Sequence, residues 1–178
     1  MVLVFQYGSN ATPARLLGPK RLNGNGRVVG PAETVEEFDI AFDVHSQTNR
    51  CAASNLIRTP GHRAWGVLYE VADDFVRGTR PDGQRTLSGI EGPSYEEKEI
   101  MVRPPGGEPV KAVTFLVRSE RRTAGLWTGA WYVSWIVYGL REQKVPEIYL
   151  AHVIQVALEA NRQASMAAEE QSKVIATL

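Results

Sequence analysis

Two short segments of the sequence carry residue types that could take part in catalysis. The first, Tyr7-Gly8-Ser9-Asn10, follows an apolar run and precedes a short helical pattern, so several backbone NH groups would point in one direction. Glycine permits close approach to the backbone, and Ser and Asn add hydrogen-bonding side chains. Such a turn can hold a carboxylate or a developing oxyanion. A tight turn with an ordinary helix cap explains the same four residues equally well.

The second candidate is Glu91, which lies in the segment 87–93 after small and apolar residues and before Gly92-Pro93. In a partly dry site, burial would raise the pKa of this carboxyl group and make it a usable acid or base near neutral pH. The alternative is a glutamate in a surface turn. Residue types alone do not decide between the two interpretations.

The elements that would position these groups follow from hydrophobic patterning. Five apolar or alternating runs bounded by Gly and Pro predict β-strands at 2–7, about 34–44, 65–71, 95–103 and 110–118. Thr12-Pro13 is typical of a helix start and predicts a short helix over 14–17. The polar stretch 77–85 predicts a surface loop. Five such strands favour an α+β fold with a small, strongly curved sheet or barrel.

Two further helices are predicted near the C-terminus. Apolar residues recur at spacings of three and four over 130–143, and Pro146 opens a second helix. We therefore predict one domain over 1–161, followed by a C-terminal helical tail over 162–178. A frayed helix and a contact in a homodimer are both open interpretations of this tail.

Composition narrows the function classes. Twenty basic residues balance twenty acidic ones, so no overall field favours nucleic acid or an anionic membrane. No apolar run reaches the roughly 18 residues that span a bilayer, and Met1–Phe5 indicates a strand rather than a signal peptide. Cys51 is the single cysteine, and the three histidines lack zinc-ligand spacing. We expect a cytoplasmic protein without a metal or cofactor.

Five blocks of sequence, taken together, resemble the γ-glutamylcyclotransferase-like family. They are FQYGSN at 5–10, AASNLI at 52–57, WGVLYEV at 65–71, GIEGPSY at 89–95 and WYVSWIVYGLREQKVPEIYL at 131–150. The blocks occur in the order of the family and leave only the tail after about residue 161 uncovered. The first and fourth blocks are the most specific.

The resemblance implies a small mixed β-barrel of about five to six strands with flanking helices. It also implies an enzyme that closes a γ-glutamyl compound to 5-oxoproline and releases an amine or amino acid. Glu91 matches the acid-base residue of the family, and the turn 7–10 matches the loop that receives the glutamyl group. Tyr95 and Tyr132 match aromatic positions of the family near the pocket, for which core packing with a hydrogen-bonded hydroxyl is the alternative. Asn55, in the second block, is a further predicted substrate-binding residue.

The sequence leaves three questions open. The segments 77–85 and 118–122 depart from the family pattern, so the γ-glutamyl compound that is the substrate is not assigned. A non-catalytic protein of the same fold that binds a small carboxylate or a partner protein is one alternative. A hydrolase with Ser9 as nucleophile is another, although no histidine lies in a recognisable triad pattern.

Overall fold

The computed structural model describes residues 1–164 and 168–178. Seven strands lie in these ranges: β1 (Val2–Gln6), β2 (Arg27–Thr34), β3 (Phe38–Ser46), β4 (Cys51–Arg58), β5 (Trp65–Val71), β6 (Tyr95–Arg103) and β7 (Val110–Val117). Six α-helices accompany them: α1 (Pro13–Leu16), α2 (Asp73–Val76), α3 (Leu87–Glu91), α4 (Ala130–Glu142), α5 (Glu147–Arg162) and α6 (Ala168–Ile175). The predicted α+β class is confirmed.

The main sheet has five strands in the order β1-β5-β2-β6-β7. Its pairings are antiparallel, except that the two outer strands meet in a parallel contact at Val4 and Val113. The sheet is therefore mixed and curls until its outer strands touch, as the sequence pattern predicts. Its interior is filled by buried side chains such as Phe5, Leu68 and Val102.

Strands β3 and β4 form a separate antiparallel pair with a register shift between Phe42 and Val44. Helix α5 packs on β3, and α4 packs on the turn that follows β1. This arrangement places one end of β1, the middle of β4 and the start of α4 side by side. No helix in the described part of the chain has both the length and the apolar character needed to cross a membrane.

The C-terminal segment is integrated into the fold in the part that the structure describes. Helix α6 packs against α4 and α5, and Ile175 is fully buried. The side chain of Gln171 accepts a hydrogen bond of 2.9 Å from the backbone NH of Ala130, at the start of α4. The predicted tail is thus helical over Ala168–Ile175, and part of the predicted tail, 165–167, lies outside the described residues.

Helix α4 approaches the turn after β1 through a glycine. A Cβ on Gly139 would lie 2.6 Å from the backbone N and Cα of Thr12, whose side chain donates a hydrogen bond to the carbonyl of Trp135. Backbone atoms cannot swing away as a flexible side chain can. A side chain at this position would therefore push α4 away from the turn that carries the candidate catalytic residues.

We predict that Gly139→Ala lowers the thermal stability of the protein. In a helix with free space around this position, replacing glycine with alanine would stabilise the protein by about 1 kcal/mol. A fall in Tm therefore indicates a steric clash, and a rise indicates free space. Overpacking of about 1–3 kcal/mol corresponds to a Tm drop of about 3 to 10 °C. Gly107→Ala is the matched control, because its nearest neighbour would be 3.5 Å away. An unchanged or higher Tm for Gly139→Ala would contradict the close packing of α4.

Candidate active site

The turn after β1 presents backbone NH groups that lack acceptors. Tyr7 anchors the turn through its hydroxyl, which donates a hydrogen bond of 2.6 Å to the carbonyl of Phe115 on β7. Ser9–Ala11 then form one 3₁₀ turn, closed by the NH of Ala11 and the carbonyl of Gly8. Among the described residues, none accepts a hydrogen bond from the NH groups of Gly8, Ser9 or Asn10. Buried NH groups are nearly always paired, so these three are suited to a bound acceptor.

Glu91 reaches this turn from the end of α3. Thr86 caps the helix by accepting a hydrogen bond of 3.3 Å from the NH of Gly89. Gly92 ends the helix with a φ of 78°, a conformation that glycine adopts readily. The side-chain NH₂ of Asn10 donates a hydrogen bond of 2.8 Å to Oε1 of Glu91. The structure therefore brings the two predicted segments together, 81 positions apart in the sequence.

The surroundings of Glu91 tune its acidity. Burial raises the pKa of the carboxyl group above its ordinary value, while the hydrogen bond from Asn10 and the charge of Arg21 partly oppose this shift. The amide of Asn10 must direct its NH₂ toward the carboxylate, because an ionised carboxylate only accepts hydrogen bonds. Its Oδ1 is then buried without a partner among the described residues. This oxygen and the Glu91 carboxylate together form an acceptor pair suited to an ammonium group.

Two tyrosines form the wall opposite the turn. The hydroxyl of Tyr132, on α4, lies 3.0 Å from Oγ of Ser54 and accepts a hydrogen bond of 3.1 Å from the Ser54 NH. The hydroxyl of Tyr95 donates a hydrogen bond of 2.8 Å to the Ser54 carbonyl. Burial raises the pKa of both phenols, so they stay neutral hydrogen-bonding groups. Ser54 thus fixes both rings, a role that the sequence pattern does not predict.

The cavity at this site has a narrow inner part and a wide outer part. The inner part, about 30 Å³, is lined by the turn, Ser54, Glu91 and the two tyrosines. The outer part, about 630 Å³, shares Ser9, Asn10 and Glu91 with the inner part and opens toward the segments 45–49 and 120–123.

Three arginines and two glutamates, Glu91 and Glu120, line the outer part, which gives an excess of one positive charge. Arg21, Arg85 and Arg121 line it, and none of them forms an ion pair with a carboxylate of the described residues. Burial lowers the pKa of Arg21 to about 10, so its guanidinium is charged at neutral pH. Among the described residues, Arg85 donates to the backbone carbonyls of Lys20 at 3.4 Å and Gly89 at 3.2 Å. The segments 77–85 and 118–122 therefore both contribute arginines to this wall.

Asn55 is the one predicted substrate-binding residue that the structure keeps away from the cavity. It is buried and lines neither part. Its Oδ1 accepts a hydrogen bond of 2.9 Å from the NH of Val117, and its Nδ2 lies 3.4 Å from Oδ2 of Asp43. Asn55 thus joins β4 to β7 and β3, and the neighbouring Ser54 reaches the cavity instead.

The geometry gives no support to a serine hydrolase. In the part of the chain that the structure describes, no histidine hydrogen-bonds Ser9. The general base and the orienting acid that a catalytic triad needs are therefore not assembled around this serine. Ser9 lies beside the hydroxyl of Tyr132 instead. Hydrogen bonds from Ser9 and Ser54 lower the pKa of Tyr132, which burial raises. The side chain of Ser9 lines both parts of the cavity.

Comparison with known proteins gives matches by structure only. No protein-family model and no curated protein sequence matches this chain. A solved structure of a γ-glutamyl cyclotransferase superposes with a TM-score of 0.74 over 99% of each chain, at 19% identity. An uncharacterized protein from Homo sapiens gives a TM-score of 0.72 over 98% of each chain, at 20% identity. YkqA from Bacillus subtilis gives a TM-score of 0.66 over 87% of this chain and 54% of the YkqA chain, at 21% identity.

These similarities establish the fold. The chain has the γ-glutamyl cyclotransferase fold over almost its whole length, which confirms the fold that the five sequence blocks imply. Because the identities are near one fifth, the reaction and the substrate rest on the site itself.

Proposed function

We propose that this protein is a γ-glutamyl cyclotransferase. It would act on a γ-glutamyl amine or amino acid, form 5-oxoproline and release the amine. The observation that carries the proposal is the hydrogen bond of 2.8 Å between Asn10 and Glu91, which joins a partly buried carboxylate to a turn whose three NH groups have no acceptor among the described residues. One site thereby offers a base for an ammonium group and donors for a carbonyl oxygen.

Glu91 is assigned the proton transfers. The α-ammonium group of the substrate must lose a proton before its nitrogen attacks the γ-carbonyl carbon, and the leaving nitrogen must gain one. A carboxylate with a raised pKa can accept the first proton and donate it to the leaving nitrogen. The free Oδ1 of Asn10 would hold the same ammonium group beside Glu91. No water molecule enters the reaction, because the nucleophile belongs to the substrate.

The turn is assigned the role of stabilising the negative charge that develops on the γ-carbonyl oxygen. With the α-amine held at Glu91, the γ-carbonyl oxygen would lie beside the turn, a placement that the hydrogen bond between Asn10 and Glu91 supports. The NH groups of Gly8, Ser9 and Asn10 would donate to the developing oxyanion, and such stabilisation often contributes more to the rate of acyl transfer than any other effect. The ring closure is intramolecular, so the protein mainly has to fold the substrate into attack geometry.

The outer part of the cavity would receive the leaving group. Its arginines favour a leaving group that carries a carboxylate over one that is neutral or cationic. Arg21 is the strongest candidate for this contact, because it is partly buried, charged and close enough to Glu91 to affect its pKa. An amino acid or a peptide is therefore a better leaving group for this site than a simple amine.

We predict that Arg21→Gln changes substrate preference. A hydrogen bond between charged groups contributes about 1.5–3 kcal/mol, so kcat/KM for γ-glutamylglycine should fall about 10- to 100-fold. The ratio of kcat/KM between γ-glutamylglycine and γ-glutamylethylamide is the measurement, because an effect of Arg21 on the pKa of Glu91 would change both substrates alike. Arg103→Gln, at the exposed end of β6, is the control. An unchanged ratio would contradict the assignment of Arg21.

The experiment that tests the proposed function is a screen of γ-glutamyl amino acids, peptides and amines with purified protein. We expect 5-oxoproline and the free amine to appear in equal amounts from at least one compound. Binding of 5-oxoproline or a γ-glutamyl compound without turnover at any pH between about 6 and 9 would favour the non-catalytic alternative. Release of glutamate in place of 5-oxoproline would favour a hydrolase.

A further inference from the structure

A second cluster of potential ligand groups lies away from the cavity. Asp39 is near the start of β3, His62 lies between β4 and β5, and His152 is on α5. Oδ1 of Asp39 is 2.6 Å from Nε2 of His152, and Oδ2 is 3.3 Å from Nδ1 of His62. None of the three residues lines either part of the cavity. The proposed cyclisation does not use them.

The geometry of the cluster is close to that of a metal site. One ligand atom from each residue lies within 4.8 Å of the other two. A tetrahedral zinc ion with bonds of about 2.0–2.1 Å holds its ligand atoms about 3.3 Å apart. Separations of up to 4.8 Å would have to shorten to about 3.3 Å for one ion to bind all three atoms. The side chain of His62 is 46% exposed, so an ion can enter from solvent and keep a water molecule as its fourth ligand.

A buried hydroxyl beside the cluster is a second observation. Tyr149, one turn before His152 on α5, is buried, and its hydroxyl makes no hydrogen bond of good geometry among the described residues, although the backbone NH of Trp65 lies near it. Its ring centroid lies 6.1 Å from that of His152. Ligands of metal ions commonly have such polar groups as neighbours.

We propose that Asp39, His62 and His152 bind a divalent transition-metal ion of the zinc class. Two imidazole nitrogens and one carboxylate oxygen suit zinc or cobalt, whereas magnesium and calcium prefer sites made of oxygen atoms. The ion would join β3, the β4–β5 connection and α5 at one point. Spacings of 23 and 90 residues between the ligands explain why the sequence pattern predicts no metal site.

The test uses the full chain, freed of metal with a chelator. Titration with Co²⁺ should produce the visible absorption of a tetrahedral cobalt site at a ratio of one ion per chain, and Zn²⁺ should displace it. At about 100 times the dissociation constant, Zn²⁺ should raise Tm by about 5 to 10 °C. Mg²⁺ at the same concentration should give no such increase.

Variants separate this site from adventitious binding. His62→Ala and His152→Ala should each abolish the cobalt spectrum and the zinc-dependent increase in Tm. His62 is half exposed, so its variant should fold normally and remain informative. His45→Ala, which removes the third histidine of the chain, should retain both signals. The proposal is overturned if the parent protein shows neither signal, or if His45→Ala loses them as fully as His62→Ala does.

Discussion

Glu91→Gln should lower the rate of 5-oxoproline formation by about 10²- to 10⁴-fold, the usual contribution of a general acid-base catalyst. Glutamine keeps the length of the side chain and an oxygen that can accept the hydrogen bond from Asn10. It cannot take a proton from the α-ammonium group or return one to the leaving nitrogen. The substrate should therefore still bind, and kcat should fall more than KM changes.

The same variant should not lose stability at pH 8. Because burial raises the pKa of Glu91, the folded protein holds this proton more tightly than the unfolded chain does. The free energy of unfolding therefore falls as the pH rises from the ordinary glutamate value, about 4.3, through the folded pKa. Glutamine stays neutral and removes this destabilisation. Its Tm should equal or exceed that of the parent at pH 8, and the difference should shrink toward pH 4.

The raised pKa also sets the expected pH dependence of activity. The ionised carboxylate is the active base, so kcat/KM should decline on the acid side as pH falls through the folded pKa of Glu91. Glu108→Gln, in the connection between β6 and β7, is the matched control and should keep the parental rate. Parental activity in Glu91→Gln, with an unchanged acid limb, would exclude Glu91 as the proton carrier.

Gly8→Ala should lower kcat/KM by about 100-fold, the scale expected when reacting groups are misplaced by about 1 Å. A Cβ at this position would overlap Oγ of Ser54, which holds the Tyr132 hydroxyl. Either the turn must shift, which displaces its NH groups, or Oγ of Ser54 must rotate away, which releases the Tyr132 hydroxyl. Tm should fall as well, by about 3 to 10 °C for a typical overpacking energy.

A second substitution tests whether the effect of Gly8→Ala is steric. In Gly8→Ala/Ser54→Ala, the nearest remaining atom would be the Cβ of residue 54 at 3.6 Å, an ordinary contact. The double variant should recover most of the lost Tm and part of the lost activity relative to Gly8→Ala, with Ser54→Ala as the reference. A double variant as impaired as Gly8→Ala would contradict the steric explanation. Parental activity in Gly8→Ala would contradict the role of the turn.

The sequence predicts most of the main sheet, because its strands are apolar runs between turn residues. Strand β2 is missed, since Gly30 and Pro31 interrupt it and are typical of loops. The structure tolerates both residues because β2 pairs with β6 only at Glu33 and Thr34, so most of its length has a free edge. The predicted strand at 34–44 consequently covers the last residue of β2, the connection after it and most of β3.

Local pattern explains which parts of the site were predictable. The turn 7–10 and Glu91 lie in the two most specific blocks, whereas Ser54 lies in the less specific block 52–57, where Asn55 is the residue predicted to bind substrate, and Arg21 lies in none. Both reach the cavity through long-range packing, Ser54 from a strand buried on both faces and Arg21 from the irregular segment after α1. The choice between Ser54 and Asn55 depends on the register of β4, which hydrophobic alternation cannot define when both neighbours are buried.

The most direct test of the proposed cyclisation is a reaction in H₂¹⁸O with a γ-glutamyl compound that the protein accepts, followed by mass spectrometry of the products. Intramolecular attack by the α-amine uses no water, so we predict unlabelled 5-oxoproline and an equal amount of free amine, both formed about 10²- to 10⁴-fold more slowly by Glu91→Gln. The contradicting result is glutamate that carries ¹⁸O in its side-chain carboxylate and forms at a rate that Glu91→Gln leaves unchanged. It would exclude cyclisation at the site formed by Glu91 and the turn after β1.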